Sequence, residues 1–124
     1  MGNIQSHTDL QVWQDAMDAA MSIYAVTKSF PADERYSLVD QMRRSSRSVA
    51  ANLAEAWRKR RYEAAFKSRL NDSEAEASET QTWIEVALRC SYIDTQAAND
   101  LDKKYEHIPA RLVSMSRDAE KWTL

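Results

Sequence analysis

Residues 41–61 read QMRRSSRSVAANLAEAWRKRR. Apolar or small side chains recur through this stretch at steps of three and four, from Leu38 and Met42 to Ser45 or Ser46, Val49, Leu53 and Ala56. That spacing lays one stripe along a helix and buries it against other helices. Outside the stripe the stretch is basic: Arg43, Arg44, Arg47, Arg58, Lys59, Arg60 and Arg61 stand against one acid, Glu55. Residues 45–56 include seven Ser or Ala, so the backbone between the two basic clusters can be approached closely. A helix that is basic at both ends and small in the middle suits an anionic partner, a tight helix–helix contact, or both.

Three further segments carry the same spacing. They read Leu10, Trp13, Met17, Ala20, Tyr24, Thr27; then Phe66, Leu70, Ser73, Ala77, Thr80, Ile84 with Ala87 or Leu88; then Leu101, Tyr105, Ile108, Leu112, Met115, Ala119, Trp122. The helices are expected at roughly residues 8–29, 33–60, 62–91 and 94–121. Pro31 stops the first and Asp33 is the expected N-cap of the second. Asp94 is the expected N-cap of the fourth, and Pro109 is expected to kink that helix. Nothing but residues 58–62 marks the break between the second and third. Short connections make neighbouring helices antiparallel, so residues 1–124 read as one all-α domain, an up-down-up-down four-helix bundle.

One Gly and two Pro in 124 residues leave too few turn formers for an all-β or α/β fold. Cys90 is the only cysteine, which excludes an intramolecular disulfide and a zinc cluster, and it reads as a buried or half-buried hydrophobe. No run of 18 apolar residues occurs, and MGNIQSHTDL lacks an apolar core, so no membrane association and a cytoplasmic location are expected. Met1, Gly2, Asn3 and Ser6 loosely match a myristoylation start, a short and common pattern.

The only histidines are His7 and His107, too few for the paired Glu-x-x-His of a di-iron bundle. There is no Gly-rich phosphate loop, no G-x-S-x-G and no Cys–His–Asp set. The acids Asp72, Glu74, Glu76 and Glu79 read as a solvated face. No catalytic residue, metal or cofactor is expected, and the chain reads as a non-enzyme.

Small seam residues on the second and third helices bury little apolar area, while four Trp and five Tyr are shared among the helices. Trp83 falls beside the third seam. Either it covers the bundle edge or it belongs to an apolar patch that marks an oligomer interface.

The motifs Leu10-x-Val12-Trp13-Gln14-x-Ala16, Phe30-Pro31-x-x-Glu34-x-Tyr36-x-Leu38, Gln41-Met42-Arg43-Arg44-Ser45 and Ser48-Val49-x-Ala51-Asn52-Leu53-Ala54-Glu55 lie in order along the chain. Glu79-Thr80-Gln81-x-Trp83-Ile84 and Ala87-Leu88 follow, leading to Tyr92-Ile93. From about residue 9 to 120 the chain resembles the four-helix bundle proteins encoded in bacterial 23S rRNA intervening sequences. That family includes the accessory variability determinant of diversity-generating retroelements, which partners a reverse transcriptase. The resemblance implies a ring-like homopentamer, and association with RNA or DNA or with a reverse transcriptase rather than catalysis. Ala56 stands where the family commonly has Gly, so the second helix is expected to run on toward Arg60. The retroelement members are strongly basic, whereas this chain has a sequence pI of about 5.7.

Charge is partitioned along the chain. Residues 43–61 hold seven bases against one acid, and residues 71–102 hold eight acids against Arg89. The basic surface can meet phosphates. Alternatively it meets the acidic third helix, within a protomer or between subunits. Arg43, Arg44 and Arg47 lie mid-helix, where Asp72, Glu76 and Glu79 can approach, so they read as structural, interfacial or nucleic-acid residues. Arg58, Lys59, Arg60 and Arg61 point around most of a turn and cannot all pair inward. They are the candidate nucleic-acid-binding residues; the competing reading is that they offset the dipole at a helix C-terminus.

Overall fold

The basic stretch is helical almost throughout. In the computed structural model, which describes residues 3–123, it belongs to α2, Leu38–Arg58. The other helices are α1, Gln11–Thr27, α3, Glu63–Arg89, and α4, Thr95–Arg117. Single 3-10 turns occupy His7–Asp9, Ala32–Glu34 and Ala119–Lys121, and there is no strand among the described residues. Met1 and Gly2, on which the myristoylation-like start depends, lie outside the described residues.

The tightest packing in this all-α fold joins α2 to α3. Ser45, Ser46, Ser73 and Thr80 are buried in the seam between them. Their hydroxyls do not go unsatisfied. Ser73 donates to the Val49 carbonyl at 2.7 Å, and the Thr80 hydroxyl lies 2.8 Å from that of Ser45. Side chains this small bring the helix axes close enough for such bonds to span the seam. Ion pairs flank it: Arg44 reaches Glu76 and Glu79, and Arg69 reaches Glu55. From Arg44 to Glu55 along α2, the partners on α3 run back from Glu79 to Arg69. Larger apolar residues, among them Met42, Val49, Leu53, Phe66, Leu70 and Ile84, fill the core on either side of the hydroxyls.

α4 closes the core with Leu101, Tyr105, Ile108, Leu112 and Met115. Asp94 caps it, its side chain accepting from the Ala97 amide at 2.8 Å. Pro109 sits inside α4, so the Tyr105 carbonyl receives no i+4 amide. The Tyr105 hydroxyl is itself buried without a hydrogen-bond partner, because the neighbouring Ser46 hydroxyl is committed to the Arg43 carbonyl. Burial pushes the Tyr105 phenol well above its ordinary value, with Ser46 pulling weakly the other way.

α3 ends in a left-handed residue that is not glycine. Ser91 has φ 61°, and around it the Tyr92 amide bonds the Ala87 carbonyl while the Ser91 amide bonds that of Leu88. This pattern is a Schellman cap. A residue with a Cβ holds the left-handed conformation at a cost of roughly 1–2 kcal/mol. Tyr92 offsets it: its ring packs on Phe30 at 5.2 Å and its hydroxyl donates to Glu34 at 2.8 Å. The α3–α4 turn is thereby tied to the connection between α1 and α2.

Four sequence-based expectations need correction. Asp33 does not cap α2. Residues Ala32–Glu34 close a separate turn over Pro31, and α2 starts only at Leu38, the first side chain there to reach the core. α2 stops at Arg58 rather than running toward Arg60, because the Trp57 carbonyl receives both the amide and the Nε of Arg60. Cys90 is exposed, as it lies beyond the last buried position of α3. The stripe assigned to the first helix is the wrong one. α1 buries Val12, Ala16, Ala19, Ala20, Ile23 and Thr27, whereas Met17 is exposed and Trp13 and Tyr24 are half-buried. Both stripes are apolar at helical spacing; the smaller set faces the core because it lets α1 approach α2 and α4 more closely. α1 is also preceded by an extended Leu10, so the helix begins at Gln11 rather than residue 8.

Leu53 is 0% exposed in the α2 stripe, so Leu53→Ala is expected to destabilise the fold by about 2–5 kcal/mol in urea unfolding. A loss within about 0.5 kcal/mol, typical of surface sites, would contradict its place in the core. The Tyr92 phenol is pushed up to about 12 from 10.0, first by its hydrogen bond to Glu34. Because the folded state holds this proton more tightly, its contribution to stability is complete below pH 10 and is lost as pH rises through about 12. Unfolding midpoints measured across that window should fall more steeply for wild type than for Tyr92→Phe.

Candidate functional site

The run from Arg58 to Arg61 lies where α2 gives way to α3. Arg58 is the last residue of α2, Lys59 its cap, and Arg60 and Arg61 form the turn. Arg58, Lys59 and Arg61 are exposed and make no ion pair among the described residues. Arg60 behaves differently. Its guanidinium stacks 3.5 Å from the centre of the Trp57 ring, and its Nε donates to the Trp57 carbonyl at 2.8 Å. Burial lowers the Arg60 pKa from its usual value, yet the group stays charged. Arg60 thus terminates α2 and braces Trp57, which itself meets Trp122 edge-on at 6.1 Å. The four residues line an open cleft of about 1030 Å³ whose other wall includes Gln5, Ser6 and His7. Three mobile cations around such a cleft, beside the carbonyl end of a helix, can neutralise phosphates without reading bases.

The upstream arginines divide by role. Arg44 is held by Glu76 and Glu79 on α3. Arg43 donates from Nε to the Thr27 hydroxyl at 3.0 Å and lies 4.6 Å over the Tyr24 ring, whose centre Lys28 also approaches to 4.6 Å. Arg47 is exposed and has no ion-pair partner among the described residues. Asp72, expected near these arginines, pairs with Arg69 instead. Arg35, not singled out in the sequence, joins Arg43, Arg44 and Arg47 around a shallow hollow of about 470 Å³. Trp83 is half-buried against the core, with its Nε1 buried and unbonded. It lies far round α3 from the basic run and lines none of these clefts.

A second feature was not anticipated. Between α1 and α2 runs a largely apolar groove of about 640 Å³, walled by Trp13, Met17, Met21 and Tyr24 and floored by Ala50, Ala51 and Ala54, with Arg47 on its rim. Met17 and Met21 are 37% and 57% exposed. The signal was present in the sequence, because α1 has two apolar stripes and one helix can turn only one of them to the core.

Among the described residues no group of three or more His, Cys, Asp or Glu is placed to hold a metal ion. No helix among them is long and apolar enough to cross a membrane. Glu74 on α3 is partly buried, which raises its carboxyl above the ordinary value, and crowding by Glu85 and Glu106 adds to burial in raising Asp102.

Comparison with curated proteins returns no match. Among solved structures, the chain is similar to a protein of unknown function from the S23 ribosomal protein family of Bacteroides thetaiotaomicron VPI-5482. The two are 26% identical with a TM-score of 0.77, over 86% of this chain and 95% of that one. The family described as 23S rRNA-intervening sequence protein matches residues 8–114, and the match takes in all four helices almost to the end of α4. The chain belongs to the 23S rRNA-intervening sequence protein family.

Proposed function

We propose that this protein is a non-enzymatic, self-associating four-helix protein that engages RNA or DNA, or a nucleic-acid enzyme such as a reverse transcriptase, through the basic end of α2. The observation that carries the reading is the group of three exposed, unpaired cations, Arg58, Lys59 and Arg61, gathered on one cleft. Elsewhere in α2 the arginines are largely consumed: Arg44 by Glu76 and Glu79, Arg43 by Thr27 and Tyr24. Cations left free in one place on a chain of net charge -2 favour a localised polyanion contact.

The helices are read as up-down-up-down. Connections of a few residues between α2 and α3 and between α3 and α4, and the reversed order of cross-seam partners, support it. The ring-like homopentamer, the relation to the accessory variability determinant of diversity-generating retroelements and a cytoplasmic location rest on the family resemblance. A second reading, a scaffold that binds another protein and no nucleic acid, is favoured by the exposed apolar stripe on α1.

Affinity for a structured RNA and a DNA duplex should be measured between about 50 and 200 mM salt. Replacing Arg58, Lys59 and Arg61 together by Gln is expected to reduce the slope of log affinity against log salt by about 2–3 units. The melting temperature should hardly change, because the three side chains are exposed and unpaired; Arg60 is left intact because it braces Trp57. If wild type binds neither nucleic acid even at the lower salt, the polyanion reading falls and the scaffold reading takes its place.

A further inference from the structure

The groove between α1 and α2 needs a cover. Met17 and Met21 stand in water on a wall that continues through Trp13 and Tyr24, with a floor of alanines. A helix that is apolar on two faces is ordinarily buried on both. The wall repeats at steps of four and three over residues 13–24, about 16 Å of helix, which is the register of a helix–helix seam rather than of a small-molecule pocket. Base stacking is disfavoured here, because Arg43 and Lys28 already lie against the Tyr24 ring and His7 meets Trp13 at 5.2 Å.

The chain carries the complementary surface itself. On the outer face of α3, opposite its core stripe, Ala75, Ser78, Thr82 and Val86 recur at steps of three and four over the same length as the groove. All are small or β-branched; the first three are exposed and Val86 is half-buried. The Thr82 hydroxyl is returned to the Ser78 carbonyl at 3.2 Å, so the face offers little unsatisfied polarity. Large side chains on α1 and small ones on α3 can interlock as knobs and holes. Charge agrees with size. Arg47 stands unpaired on the groove's rim, while Glu85 flanks the small face and is crowded by Asp102. Two grooves facing each other would instead set Arg43 and Arg47 against their own copies, a like-charge juxtaposition.

We propose that the α1–α2 groove is the socket for a second copy of this chain, receiving the outer face of that copy's α3 in a head-to-tail contact. Such a contact uses two different patches, so every copy has one free socket and one free face, and repetition closes a ring or continues as a filament. The inference rests on the self-association proposed above and adds which surfaces meet.

Sedimentation velocity of two exposed-site variants tests it. Met21→Asp spoils the socket and leaves the α3 face intact; Thr82→Arg spoils the face and leaves the socket intact. Each alone should remain helical with an unchanged melting temperature and require at least about tenfold more protein to associate. Mixed in equal amounts, they should form a 1:1 dimer and nothing larger, because one good socket and one good face remain. Met17→Lys and Ser78→Arg serve in the same way should either first variant unfold. A monomeric wild type at tens of micromolar overturns self-association itself. A wild-type oligomer that both variants leave intact overturns only this pair of surfaces, as does a mixture that stays monomeric. Loss of RNA binding in Met21→Asp with assembly unchanged would make the groove a nucleic-acid surface and overturn the proposal.

Discussion

Close approach of α2 and α3 is the constraint on which the rest of the structure depends. Ser45, Ser46, Ser73 and Thr80 contribute little apolar area, so this seam is held less by burial than by short cross-helix bonds. Buried hydroxyls cost free energy when unbonded, which penalises any register that separates Ser73 from the Val49 carbonyl or Thr80 from Ser45. Register, once set there, determines which charges meet. Arg44 falls opposite Glu76 and Glu79, and Arg69 opposite Glu55, as consequences of a seam they flank but do not create. Exposed pairs of this kind add little stability on their own.

That register also sorts the basic residues into used and unused. A linear count places seven bases in residues 43–61 and suggests one continuous cationic surface. In three dimensions it is broken: Arg43 and Arg44 are occupied by neighbours, Arg60 is folded onto Trp57, and Arg47, Arg58, Lys59 and Arg61 remain free. Free cations thus collect at two places, the rim of the α1–α2 groove and the end of α2. The groove's length separates them, about 16 Å for the eleven residues between Arg47 and Arg58. The acids of α3 are similarly divided. Asp72, Glu76 and Glu79 serve the interior, while Glu85 with Asp102 and Glu106 forms an outward negative region.

α1 has the least local specification. It carries two apolar stripes, no side-chain cap at Leu10 and no acid in its first turn. Its position comes from contacts made elsewhere: Arg43 to Thr27, Arg111 to Asp15, and the packing of Phe30 on Tyr92. The same feature leaves Met17 and Met21 in solvent, and it makes an assembly surface a natural use for the remaining face.

Sequence alone determined that this chain is helical, because a scarcity of Gly and Pro removes the turns other folds need. It also determined which faces of α2, α3 and α4 are buried, because each has one apolar stripe and no competing one. The Asp94 cap was legible for a similar reason: a short polar side chain before an apolar-periodic run has one energetically obvious use. Tertiary structure decided what had local rivals. Which stripe of α1 faces inward depends on the size of the residues it meets, not on their hydrophobicity. Where α2 ends depends on Arg60 reaching back to Trp57, a contact between side chain and carbonyl that no spacing rule encodes. Which arginines remain free depends on the register of α3 against α2, because charge is written along the chain but is neutralised only across it.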